Sequence, residues 1–423
     1  MGKKRFLAVC ALVLGVLLIV PATGLLAAGK GDPIVIGAPV PRASAYGQNG
    51  ERGLILAAEE INAAGGIKLK GKMCPIDLQI IDSRDEEPGV PTSSVLLAIE
   101  KLILQKKADV IAGGPCMSEC GMAALDLYAR YKVVDVVSIG CYPPSWDAKV
   151  GENLDKYKYS FRESGSVKWY IKEAIDLLGQ IQEEHGFNKL FISIDDSLMC
   201  RGAAGIVEKM AAQKGWEIVG QDKHPIGTTD YSAALSDCKK SGAQVMFIWA
   251  YSPETSVLLK QWADMEVPAI PIGFIGAAED PGFWEATNGK CEYTVVTLSE
   301  TGNVPTNATP RAMEFYNAFK ERWGVPPRST GCVSGYESLY VLKDAIERAD
   351  SLEDEPLIKA LEATNLPAVR GTIRFDENHQ IIYGYDPSNS VLGCWVQWQD
   401  GKRVQVFPEA AAMGKIKMPP WLK

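Results

Sequence analysis

Along most of the chain, short runs of consecutive apolar residues alternate with longer stretches in which apolar positions recur every three or four residues. The runs predict buried strands and the stretches predict amphipathic helices. Residues 33–37 (PIVIG) read as the first strand. A helix is predicted over 50–64, with Leu54, Ala57, Ala58 and Ile61 on one face and Glu51, Arg52, Glu59 and Glu60 on the other. Gly65-Gly66 closes it. Strand 75–82 follows, then a helix opened by Pro91-Thr92 and carrying Val95, Leu96, Ile99, Leu102 and Ile103, then strands 108–112 and 133–139. After Arg162 the alternation restarts. Helices over 167–182, 202–213, 230–240 and 253–265 are interleaved with strands 189–194, 216–219, 244–249 and 270–275. Beyond a strand at 293–298 come helices 310–323, 333–349 and 355–363, a strand at 372–375, and a hairpin of 393–399 with 403–407 across Asp400-Gly401.

Repeated strand–helix–strand units imply parallel sheets covered by helices on both faces. The expected fold class is therefore α/β, with two similar lobes, each built on one such sheet. Ligands of these sheets sit beyond the C-terminal strand ends. Loops 39–47, 115–118 and 140–146 of the first series converge there, and loops 195–200, 251–254 and 276–280 of the second form the facing rim.

The 423 residues suffice for two cores, and the formal charge of −8 argues against nucleic acid as a partner. Lys3, Lys4 and Arg5, an apolar run over 6–20 and the small-residue exit Leu26-Ala27-Ala28 have the order of a secretory signal. Cleavage is expected after Ala28, leaving a secreted or periplasmic protein. Nine cysteines follow Ala28, an odd number with no CxxC pair and no histidine at zinc-site spacing, so most read as buried structural thiols. Cys116, Cys120 and Cys141 fall on loops expected to be neighbours, and one disulfide among them is expected if two Cα atoms lie within about 7 Å.

The stretch 112–125, AGGPCMSECGMAAL, carries the most pointed chemical signal. A strand ends there and a helix begins, with Ser118 placed as its N-cap. Such a helix start offers unpaired N–H groups and a positive dipole end to a carboxylate. Catalysis is poorly supported. The three histidines, His185, His224 and His379, lie outside the rim loops, and no nucleophile elbow, phosphate loop or zinc-protease motif occurs. Asp195-Asp196 reads as a cap for the turn that follows. No cofactor or metal is expected. Tyr46, Tyr142, Trp146, Trp249 and Tyr251 on the converging loops describe a partly apolar binding cleft.

With residues 34–67 (IVIGAPVPRASAYGQNGERGLILAAEEINAAGGI), 81–88 (IDSRDEEP), 112–125, 227–235 (GTTDYSAAL), 251–254 (YSPE) and 334–346 (SGYESLYVLKDAI), the chain resembles substrate-binding proteins of branched-chain amino acid ABC transporters. Those proteins have the type I periplasmic-binding fold. The resemblance implies a first lobe from 33–160 and 297–392, and a second from 161–296 and 393–423. Three crossings near 160–161, 296–297 and 392–393 would act as a hinge that closes on ligand. It assigns the ligand carboxylate to Ser118, the Gly140 backbone and Tyr142, an aromatic lid to Tyr46, and a closing tyrosine to Tyr251. It also implies a monomer that works with a membrane permease; a receptor's ligand-sensing module is the alternative. Three positions depart from the family pattern. Ile275 stands where an acid would meet the ammonium group, Tyr142 where threonine is common, and Gly331 where an aromatic would pack. Glu279 can replace the lost acid if its loop bends inward. The departures favour a carboxylate with a bulky apolar or aromatic body over leucine, isoleucine or valine.

Overall fold

The computed structural model describes residues 29–328 and 330–422, so the expected signal sequence lies outside the described residues. Two sheets organise it. The first runs in the order Ile76–Asp82, Ile34–Val40, Val110–Gly113, Asp135–Val137, Ser160–Arg162, all parallel. The second runs Lys402–Phe407, Trp395–Gln399, Val295–Thr297, Ile270–Ile275, Val245–Ala250, Lys189–Asp195, Glu217–His224. It is parallel except for the C-terminal hairpin and its junction with Val295–Thr297. Central strands such as Val245–Ala250 are buried on both faces, as unbroken apolar runs predict. The edge strand Glu217–His224 outruns its predicted 216–219 because its polar second half carries no apolar signal.

The first helix, Ala45–Ala63, starts five residues earlier than periodicity suggests. The Ser44 hydroxyl caps it, accepting the Gly47 N–H at 3.0 Å. Tyr46 thereby joins the first helical turn instead of a loop. This helix packs tightly against Cys332–Ala349, from the last third of the chain. A Cβ on Gly53 would lie 2.2 Å from the Cys332 carbonyl oxygen, so glycine is what lets the two backbones approach. Tyr336 and Tyr340 both donate to Glu60 across the same contact.

The chain crosses from the first sheet to the second after Arg162, leaves the second after Thr297 and rejoins it at Trp395. The crossings are tied to one another: Leu298 N–H donates to the Cys394 carbonyl at 2.7 Å, and the Thr301 hydroxyl to the Gly393 carbonyl at 2.6 Å. Just past the second crossing, the fully buried Glu300 carboxylate accepts the Gly331 and Val333 N–H groups, each at 3.0 Å, and the Ser334 hydroxyl at 2.5 Å. It therefore supplies the negative charge that the start of helix Cys332–Ala349 attracts. Arg370 is also fully buried. It donates to Glu163, beside the first crossing, and to Glu337 at 2.6 Å.

Candidate functional site

Three neighbouring strands of the first sheet end in loops that form one wall. Gly140 must remain glycine in that wall: its φ is +82° and a Cβ would lie 2.4 Å from the Cys116 carbonyl oxygen. The same carbonyl accepts the Cys141 N–H at 2.8 Å, locking the 116 and 141 loops together. Tyr142 turns its ring edge-on to Tyr170 of the other lobe, with centroids 5.6 Å apart, and its carbonyl accepts the Val167 N–H. The Tyr142 hydroxyl is buried beside Thr330.

Ser118 is not the N-cap. Met117 is, and Ser118 takes the first helical position. The reason lies 32 residues away, where the buried Asp85 carboxylate accepts the Met117 N–H at 2.6 Å and so supplies the cap from another loop. The Ser118 N–H still belongs to the first turn, which has no intrahelical acceptors.

Across the cleft, strand Ile270–Ile275 runs straight into a single 3₁₀ turn, Gly276–Glu279. The turn buries Glu279 completely. Its carbonyl accepts from Arg403 at 2.7 Å. Tyr46 and Glu279 approach from opposite lobes. Burial first, and then the Glu279 charge, pushes the Tyr46 phenol well above its usual pKa and keeps it a neutral donor. Arg328, ion-paired with Asp280 at 2.9 Å, also faces Tyr46. Ile275 is buried in the second-lobe core, and Gly331 opens the helix capped by Glu300.

Two aromatics assigned to the cleft belong to cores instead. Trp146 is buried among Leu125, Val137, Cys141 and Val150, and the Arg162 guanidinium lies over its ring at 4.8 Å. Trp249 is buried against Phe247 and Phe274. Tyr251 does reach the rim, with 42% of its surface exposed. All nine cysteines among the described residues are free thiols. Burial raises Cys116 well above the ordinary thiol range and Cys141 to about 12. The expected bridge among Cys116, Cys120 and Cys141 is not formed. No group of three His, Cys, Asp or Glu among the described residues is arranged to hold a metal.

The Tyr251 loop rests on an acid cluster that the sequence reading took for a simple cap. Asp195, fully buried, accepts the Tyr251 and Ser252 N–H groups and the Ser252 hydroxyl, all at 2.8 Å. Asp196 pairs instead with Arg201, and Ser197 caps the following helix. His224 lies 3.1 Å from Asp222 and 3.3 Å from Asp195. Burial alone would lower its pKa, but hydrogen bonds to the two carboxylates outweigh that and raise it to about 9. A folded-state pKa above the unfolded value near 6.5 stabilises fully below that value and is lost as pH rises through about 9. Melting temperature is therefore expected to fall between about pH 6.5 and 9, and His224→Asn should flatten that part of the profile. Parallel profiles for the two proteins would rule this out.

A sequence model of the family described as periplasmic binding protein matches residues 33–386. The chain belongs to that family. Leu/Ile/Val-binding protein homolog 8 of Brucella abortus (strain 2308) is 26% identical over 392 residues, which covers 88% of this chain and 89% of that one. A putative branched-chain amino acid ABC transporter structure from Silicibacter pomeroyi superposes with a TM-score of 0.81 at 22% identity, over 92% of this chain and all of that one. The solute-binding protein of an ABC transporter from Rhodopseudomonas palustris BisB5, solved with 3,4-dihydroxybenzoic acid, gives 0.67 at 20% identity, over 92% and 99%. This periplasmic binding protein thus shares its two-lobed fold with proteins that bind solutes for ABC transporters, a family defined by binding and not by catalysis. No helix among its described residues is long and apolar enough to cross a membrane.

Sequence reasoning passed over Asp85, Glu86, Arg328 and Tyr170. Asp85 and Glu86 lie in 81–88, a motif noted only for its resemblance, and an acidic run does not reveal which side chains turn inward.

Proposed function

We propose that this protein captures a free amino acid between its lobes and delivers it to an ABC-transporter permease. The observation that carries the reading is the approach of Tyr46 and the buried Glu279 from opposite lobes. A ligand ammonium placed between them meets a carboxylate on one side and a neutral phenol on the other. Ser118, the Gly140 backbone and Tyr142 take the carboxylate end. We read Glu279, on the 3₁₀ turn after Ile275, as the replacement for the missing acid, so the ligand in this reading is a zwitterion and not a deaminated acid. A ligand that touches both lobes binds the closed form better and shifts the population toward it, which is the form for a permease to recognise.

Calorimetry with amino acids and their deaminated counterparts tests this. Binding is expected for at least one amino acid and absent for the acid that lacks its amine. Tight binding of benzoate-like acids, with no amino acid bound, would overturn it. Ser118→Ala removes a hydroxyl from the carboxylate end. It is expected to weaken binding roughly tenfold to a hundredfold, the cost of one hydrogen bond to a charged group, with the melting temperature unchanged. An unchanged affinity would remove Ser118 from the site.

A further inference from the structure

The first lobe holds a second carboxyl group that the amino-acid backbone does not use. Glu86 lies in the loop after strand Ile76–Asp82, at the same C-terminal sheet edge as the Tyr46 and Cys116 loops. Its carboxyl group reaches the Ser44 hydroxyl, which caps the helix carrying Tyr46, and the Cys116 thiol. Its charge bears on both Tyr46 and Cys116. One oxygen, Oε2, is buried with no hydrogen-bond partner among the described residues. A buried carboxyl oxygen without a donor is costly, and such groups call for a partner that completes them. Asp85, its neighbour, spends both oxygens inside the protein, on the Ser83 hydroxyl and the Met117 N–H. Glu86 uses its carboxyl group on Ser44 and Cys116 but leaves Oε2 without a donor among the described residues.

We propose that Glu86 is a specificity-determining residue that accepts a hydrogen bond from the ligand's side chain, which makes the ligand an amino acid with a donor-bearing side chain, not a branched aliphatic one. The inference rests on the amino-acid reading of the cleft. In that reading Glu279 meets the α-ammonium from the second lobe. Ser118, Gly140 and Tyr142 hold the carboxylate, and Glu86 is left facing what projects from the α-carbon. An aliphatic side chain there would bury Glu86 Oε2 against hydrocarbon. A hydroxyl, amide or ammonium satisfies it. Specificity of this kind is strong because a ligand lacking the donor leaves the protein group unpaired.

The test is calorimetry of leucine, serine, glutamine and lysine against wild type, Glu86→Gln and Glu86→Leu, with melting temperatures recorded for each. At least one donor-bearing amino acid is expected to bind wild type tenfold or more tighter than leucine. Glu86→Leu should cost that ligand tenfold to a hundredfold and change leucine by less than threefold. Glu86→Gln keeps the side chain's shape and an acceptor, so it should fold as wild type even where Glu86→Leu does not, and lysine should lose more affinity to it than serine or glutamine. Leucine binding as tightly as every donor-bearing amino acid, or a preference unchanged in both variants, overturns the role of Glu86 alone. Binding of none of the four, with response to an acid lacking the amine, overturns the amino-acid reading and this inference with it.

Discussion

Arg370→Met is expected to destabilise the protein by about 3–5 kcal/mol, the range for removing one partner of a buried ion pair. Arg370, Glu163 and Glu337 are all essentially inaccessible to water. One guanidinium serves both carboxylates, and its Nη1 also donates to the Tyr383 hydroxyl at 3.1 Å. Methionine restores most of the apolar volume but leaves two carboxylates in a low-dielectric interior without a counter-ion. Arg370→Lys keeps the charge yet cannot span both acids as a fork does, so an intermediate loss is expected. Urea unfolding of the three proteins measures it. A loss below about 1 kcal/mol for Arg370→Met would mean that the carboxylates take up protons and accept isolation without strain. Because Glu163 lies beside the first crossing, the same variant should also loosen the lobes' coupling to ligand.

Gly140→Ala is expected to damage binding more than folding. A residue with a Cβ at φ +82° costs about 1–2 kcal/mol. The added carbon would also lie 2.4 Å from the Cys116 carbonyl oxygen and 2.6 Å from its Cα, so one of the two loops must shift. Overpacking of this kind costs about 1–3 kcal/mol. The loop that yields carries Cys116, Met117 and Ser118, which face the ligand carboxylate in the proposed reading. Affinity should drop more than tenfold, while circular dichroism still reports a folded protein. Wild-type affinity in Gly140→Ala would show that the wall tolerates the shift and that the Gly140 backbone does not position the ligand.

The alternation of the two sheets was readable because a strand buried on both faces must be apolar throughout, as in Val245–Ala250. Boundaries were less readable where a distant group decides them. The Ser118 helix begins where Asp85 caps it, and nothing in 112–125 reveals a carboxylate contributed by another loop. Trp146 and Trp249 were placed in the cleft by the loops and strand ends that hold them. Which way each turns depends on pleat and helix phase, and both turn into cores. Glu279 became interpretable only with the 3₁₀ turn, which no local motif announces. Glu86 illustrates the same limit. In the run Asp85-Glu86-Glu87, all three residues read alike, yet Asp85 is spent on the backbone, Glu87 on Arg84, and Glu86 on neither.

The close crossing of helix Ala45–Ala63 with helix Cys332–Ala349 sets an order of events during synthesis. The hydrogen bonds from Tyr336 and Tyr340 to Glu60 join positions 276 and 280 residues apart. The first helix therefore cannot cover its inner face until most of the chain exists, and closing so long a loop slows folding relative to local pairing. A nascent chain that stops before Cys332 leaves the Gly53 and Glu60 side of the first helix uncovered. Completion of the last third is what covers it.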